Sequence, residues 1–342
     1  MHQLTLYLLS YKIYTFNKEQ FIFIEINKGI QMYLEHFGFD RNPFPTTPQL
    51  DFFFTGGHRL EAIEAIDFAL KENFGIIKVI GSIGSGKTMV CRQAHRSLSE
   101  EYDILFISDP SLSTCESILN SIANELNPTW DLEKPKNKIF QQIIQTLLSH
   151  KKNNKPSILF IEEAQKLTPV QLEELRYLTN LETSQEKLMQ IVLFGQPSLD
   201  SVLMQTDQEL LSSRLTNSIF LKPFTFKEFK HYVSHRFEIA GIQQQKQPLN
   251  SLHLWLIYQL SNHSLRQANQ MLEKTLFSCF IRKSHKPLLT DIATANKAIS
   301  HHGAIIRYTR AQLVSCFSLG LLIGWIGFLA NQPLTSAYYS PE

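Results

Sequence analysis

The sequence predicts an α/β protein with a parallel sheet covered on both faces, followed by an all-helical part. Three observations carry this expectation. Short apolar runs alternate with helix-patterned segments between Phe74 and Pro197. A glycine-rich turn separates the first of those runs from the helix that follows it. Beyond Pro223 every patterned stretch has helical spacing. Strands buried on both faces read as uniformly apolar rather than alternating, and these runs do so.

Taken in order, Phe74 to Ile80 is the first strand and Thr88 to Leu98 the first helix. Ile104 to Ser108 is a strand, Leu112 to Leu126 and Ile139 to His150 are helical, and Lys151 to Pro156 is a polar loop. Ser157 to Ile161 is an apolar strand, Val170 to Thr179 a helix, and Met189 to Phe194 another buried strand closed by Gly195-Gln196-Pro197. Lys227 to Ala240, Ser251 to Leu260, Ser264 to Arg282 and Asp291 to Ser300 are then helices split by polar or Pro/Gly turns.

Composition bounds the class. With 342 residues, 43% hydrophobic and 19% charged, the chain can bury a core and is not globally disordered. A net charge of +2 gives no general attraction to nucleic acid. Cys91, Cys115, Cys279 and Cys316 are scattered, so neither a disulfide framework nor a zinc site is indicated.

Both ends differ from the middle. Residues 1–31 are aromatic-rich without useful periodicity and fit a signal peptide poorly. Lys28-Gly29 can be encoded as AAAGGA, a ribosome-binding sequence, so residues 1–31 are taken as an extension ahead of a start at Met32. N-terminal sequencing of the native protein checks this. At the other end, Ala311 to Ala330 carries no charge, long enough as a helix for the hydrocarbon of a bilayer at about 1.5 Å per residue. Arg307 and Arg310 flank it on the N-terminal side, so the large N-terminal part is expected in the cytoplasm and residues 331–342 across the inner membrane. Gly320 and Gly324 form a small-xxx-small pair within this expected span. Residues 303–310 are then a basic linker.

The chemistry concentrates at Gly81-Ser82-Ile83-Gly84-Ser85-Gly86-Lys87-Thr88, followed by Met89. The pattern is GxxxxGK[ST] between a strand and a helix, the context in which backbone amides turn onto phosphates. ATP is the expected ligand, with Lys87 reaching its β- and γ-phosphates and Thr88 holding Mg²⁺. Glu162 and Glu163 end an apolar strand. Alone, such a pair is a solvated helix start; downstream of this loop, Glu162 is expected to hold Mg²⁺ and Glu163 to polarise the attacking water. Gln196, at the end of the next buried strand, is expected beside the γ-phosphate. Arg214 is expected to reach the nucleotide of a neighbouring subunit, and Arg266 the phosphate within its own.

An ordered series of segments resembles the ExeA/GspA family of AAA+ ATPases over about residues 32–300. Met32 to Gly38, Asn42-Pro43-Phe44, the loop with Cys91-Arg92, and Glu162-Glu163-Ala164-Gln165 carry the resemblance. So do Leu178 to Thr183, Gln190 to Pro197, Ser213-Arg214-Leu215, His235-Arg236, Ala240-Gly241, Arg266 and Asn269. The branch it looks most like serves mannose-sensitive pilus biogenesis.

This resemblance implies an AAA+ core over 32–222, a helical lid over 223–302, oligomerisation on nucleotide, and a role in type II secretion or type IV pilus assembly. Relatives often continue past a span into a peptidoglycan-binding domain, but with only residues 331–342 after the span, direct peptidoglycan binding is not expected here. Glu162 stands where the family has Asp, and Leu265 where it generally has Pro. Transposition ATPases share this core, so a DNA-handling protein is the competing class, and a nucleotide-operated switch with weak hydrolysis is another. Nucleic acid is not the expected partner.

Overall fold

A computed structural model describes residues 29–112, 117–182, 187–204, 218–243 and 246–300. Five parallel strands form its sheet: β1 (Ile76–Gly81), β2 (Asp103–Ile107), β3 (Ser157–Ile161), β4 (Met189–Gly195) and β5 (Ser218–Leu221). Their order is β2-β3-β4-β1-β5, all pairs parallel. Register places Ile80 beside Gly195 and Gly81 beside Leu221, so the first strand ends level with its neighbours.

The helices are α1 (residues 29–37), α2 (Arg59–Lys71), α3 (Lys87–Leu98), α4 (Ile118–Leu126), α5 (Lys136–Lys152) and α6 (Pro169–Thr179). They continue with α7 (Ser198–Met204), α8 (Phe226–Ile239), α9 (Ser251–Leu260), α10 (Leu265–Ile281) and α11 (Leu289–Ser300). Strand side chains alternate between two cores. Leu159, Ile161, Ile191 and Leu193 pack with α4 to α7, whereas Ile158, Phe160, Val192 and Phe194 pack with α2 and α3. Residues Ile158 to Ile161 and Ile191 to Phe194 are therefore apolar at successive positions.

Several expectations need correcting. The helix expected from Leu112 begins at Ile118, because Pro110 to Leu112 form a short 3₁₀ turn instead. Strand β5 and helices α1, α2 and α7 had no counterpart in the sequence pattern. β5 is short and half-exposed at the sheet edge, so it lacks the continuous apolar run of a central strand. The apolar stretch at 311–330 lies outside the described residues; among those described, no helix is long and apolar enough to cross a membrane.

Buried carboxylates tie helices together. Glu174 on α6 caps α4, accepting from the Ile118 amide at 2.8 Å and the Ser117 hydroxyl at 3.0 Å, and pairs with Lys136. Asp291 on α11 accepts from Arg282 Nη2 at 2.6 Å, the Leu288 amide at 2.8 Å and Ser278 Oγ at 2.9 Å. Burial pushes the Asp291 carboxyl up, but Arg282 and these donors outweigh it and hold it below the ordinary aspartate range. A depressed carboxyl contributes stability above its unfolded pKa and loses it as pH falls through the folded one. Asp291→Asn is expected to cost about 1–3 kcal/mol at pH 7. Denaturant unfolding at a series of pH values checks this: the gap to the parent should shrink on acidification below the ordinary aspartate range.

Candidate active site

The loop after β1 is built around three glycines. A Cβ on Gly81 would sit 2.5 Å from Ser85 Oγ and 3.2 Å from Leu221 Cβ, so a side chain there would displace the Ser85 hydroxyl and crowd β5. Gly84 and Gly86 take φ of 75° and 96°, left-handed backbone that glycine enters without strain. Helix α3 starts directly at Lys87, so its free N-terminal amides face the loop. The Lys87 ammonium donates to the carbonyls of Gly81 at 2.8 Å and Ser82 at 3.0 Å. Burial lowers its pKa, Glu163 opposes that shift and Arg266 adds to it, so both lie within electrostatic reach.

Glu162 extends the β3 ladder, its amide donating to the Ile107 carbonyl at 2.9 Å. Burial raises its carboxyl against the pull of the Thr88 hydroxyl, which hydrogen-bonds it. One oxygen, Oε1, is buried without a hydrogen-bond partner. Glu163 follows with φ of 49°, a left-handed conformation that costs a non-glycine residue about 1–3 kcal/mol. Gln165 Nε2 donates to Glu163 Oε2 at 2.6 Å, while Gln165 Oε1 accepts from the Gln196 amide at 3.0 Å. Gln165 thus links the ends of β3 and β4 and holds the second acid.

A cavity of about 610 Å³ gathers these groups. Ile83, Gly84, Gly86, Lys87, Thr88, Met89, Glu163, Gln196 and Arg266 all line it. Helix α10 closes one side: the Leu265 amide donates to the Gly84 carbonyl at 2.9 Å, and Ser264 Oγ would lie 2.2 Å from a Cβ on Gly84. An N–H stands at Leu265 where a proline would have none.

A family model described as an AAA domain matches residues 71–203. General secretion pathway protein A of Aeromonas hydrophila is 33% identical over 272 residues, which are 79% of this chain and 49% of that protein. The chain belongs to the ExeA/GspA-type AAA family. It spans about half the length of that relative. Among solved structures, the Cdc6p protein of Pyrobaculum aerophilum superposes with a TM-score of 0.59 at 15% identity, covering 74% of this chain and 71% of that one. The Aeropyrum pernix ORC1 protein in complex with DNA gives 0.55 at 15% identity, over 76% and 70%. At such identities the likeness concerns the fold alone.

For this AAA chain, Lys87, Thr88, Glu163, Gln196 and Arg266 come together around one cavity, while Glu162 adjoins Thr88. Arg214 lies outside the described residues. The orphaned Glu162 Oε1 beside the Thr88 hydroxyl is a pair of hard oxygen donors, which suits Mg²⁺. The extra methylene of Glu over Asp is thus compatible with a cation at this place.

Two arginines had no assigned role in the sequence pattern. Arg59 is 4% exposed and lines the cavity. Its Nη2 donates to the Ser85 carbonyl at 2.7 Å, its Nη1 to the Gly57 carbonyl, and its guanidinium stacks 4.0 Å from the Phe224 ring. Burial lowers its pKa to about 10, so it stays cationic at neutral pH. Arg236 is buried as well; its Nη1 donates to the Pro43 carbonyl at 2.8 Å, and Nε has no partner. A signal existed for both: each arginine occupies a position on the apolar stripe of its helix, with Ala62, Ile63 and Ile66 or Phe229, Tyr232 and Val233. A charge placed there is costly unless something polar receives it. Arg59→Lys keeps the charge but not the planar fork. Nucleotide affinity should fall about 10-fold on losing that charged hydrogen bond, measured by equilibrium titration.

Proposed function

We propose that this AAA protein is a membrane-anchored ATPase that couples ATP binding and hydrolysis to assembly of an envelope secretion or type IV pilus system. The observation that carries its chemistry is the convergence of Lys87, Thr88, Glu163 and Arg266 on one cavity. Amides at the start of α3 and the loop receive the β- and γ-phosphates. Lys87 exchanges the Gly81 and Ser82 carbonyls for phosphate oxygens. Thr88 and Glu162 hold Mg²⁺, which when bound neutralises charge on the phosphates. Glu163, positioned by Gln165, takes the proton of the attacking water as its oxygen bonds to the γ-phosphorus and ADP leaves. Arg266 and Gln196 meet the γ-phosphate side, and Arg214 serves the site of a neighbouring subunit in a homo-oligomer.

The cellular assignment rests on different support. The 33% identical relative is named for general secretion. The uncharged stretch Ala311 to Ala330, with Arg307 and Arg310 before it, supports a single-pass inner-membrane anchor with the ATPase part in the cytoplasm. The ordered series of segments over about residues 32–300 supports the pilus branch as client. Purification of the full chain from native membranes, with identification of what accompanies it, tests this. Envelope secretion or pilus assembly proteins are expected. Recovery from the soluble fraction, with salt-sensitive binding to duplex DNA, would replace this function with DNA handling.

A further inference from the structure

Helix α10 runs along the cavity as a ruler. Its start touches the phosphate loop, where the Arg266 Cβ lies 3.2 Å from a Cβ built on Gly84. Asn269, Gln270 and Glu273 line the cavity further along the same helix. Seven residues separate Arg266 from Glu273, about 10 Å of axial rise, the scale of a ribose and base beyond a diphosphate. Phe44, Phe52 and Tyr232 also line the cavity, each nearly fully buried with the Arg236 guanidinium over its ring. A buried apolar wall of this kind does not choose among bases.

Choice therefore falls to the polar groups at that end. Asn269 Oδ1 is taken by the Tyr232 hydroxyl at 2.9 Å. Arg236 offers only donors and cannot receive an amino group: its Nη1 is engaged by the Pro43 carbonyl, its Nε is unpartnered, and it lies 5.1 Å from the ring centres of Phe52 and Tyr232. Glu273 has acceptor capacity to spare. Asn42 Nδ2 donates to its Oε1 at 3.2 Å, and Asn42 is itself fixed by the Phe44 amide, which donates to Oδ1 at 2.9 Å. Among the described residues no cation pairs with Glu273 within 4.0 Å. A carboxylate accepts at about four positions, so a largely enclosed one with a single donor is short of N–H groups.

We propose that Glu273, oriented by Asn42, accepts a hydrogen bond from the exocyclic 6-amino group of the bound nucleobase and so selects adenine over 6-oxopurines. This inference rests on the nucleotide-binding function proposed above. In a 6-oxopurine the oxygen at C6 meets the carboxylate acceptor against acceptor and the exocyclic donor is lost; the N1–H gained next to it replaces that donor only if the base shifts in the cavity. Specificity then arises as much from that repulsion as from the contact made to adenine. It also gives Asn42, in the Asn42-Pro43-Phe44 segment, a positioning role.

The test is equilibrium binding of ATP, inosine triphosphate and purine riboside triphosphate, the last having neither amino nor oxo group, to the full chain with Mg²⁺. The parent should bind ATP about 10- to 100-fold more tightly than either analogue, the worth of one hydrogen bond to a charged group. In Glu273→Gln the side-chain amide can turn either its oxygen or its N–H groups to the base, so the ATP-to-inosine ratio should fall to within about 3-fold. A purely structural role for Glu273 would weaken all three ligands alike; unchanged ratios in the variant overturn the proposal. Equal affinity of the parent for ATP and purine riboside triphosphate overturns it without any variant. Failure of the parent to bind all three removes the underlying nucleotide site as well, and is recognisably a different result.

Discussion

Lys87→Ala is expected to lower nucleotide affinity by at least about 100-fold while leaving the fold intact. The ammonium is placed by the loop itself, 2.8 Å and 3.0 Å from the Gly81 and Ser82 carbonyls. Burial disfavours its charged form, and the counter-charges of Glu163 and Glu162 only partly offset that. A phosphate oxygen is therefore a better partner than the neutral carbonyls it holds without ligand. Two charge-assisted hydrogen bonds of about 1.5–3 kcal/mol each account for a loss of at least about 100-fold. Ala at the first residue of α3 has better helix propensity than Lys, and the side chain packs in neither hydrophobic core, so the unfolding midpoint should hardly move. Isothermal titration with a parallel melting curve reads both. Unchanged affinity would contradict the assignment of this loop.

Glu163→Gln should separate binding from turnover. Loss of a general base typically costs about 10²- to 10⁴-fold in rate. The amide introduced by this substitution fills the same volume and can still accept from Gln165, whose donor lies 2.6 Å from Oε2 in the parent. Nucleotide affinity should stay within about 3-fold, because Glu163 repels the phosphates more than it holds them. Phosphate release with ATP and Mg²⁺ is the measurement. If parent and variant release phosphate at one rate, this protein is a nucleotide-operated switch rather than a hydrolase. The left-handed backbone of Glu163 sharpens the case: strain of about 1–3 kcal/mol persists only where the surroundings hold it. Here the 3₁₀ turn Ala164–Lys166 and the Gln165 bridge do so.

Much of the phosphate end was legible because its chemistry is local. A strand, three glycines, a lysine and a hydroxyl within Ile76 to Thr88 need only backbone geometry to make a cradle. The two acids at the end of β3 were legible for the same reason. Less was visible wherever a residue's partner is remote in sequence. Arg59 meets Ser85, Arg236 meets Pro43, and Asn42 meets Glu273 across 26, 193 and 231 positions. Edge strand β5 escaped notice because a half-exposed strand of four residues carries no periodic signal.

By itself, then, the sequence determined the order of the first four strands and of most helices, the phosphate loop and its acids. It did so because hydrophobic period and glycine placement act over a few neighbouring residues. Only the tertiary structure decided that Gln165 holds Glu163, that α10 rests on the loop through Leu265 and Gly84, and that Glu273 lines the same cavity as Lys87. Those facts depend on parallel strands setting their ends level and on one helix crossing the mouth they form, and no local pattern encodes either.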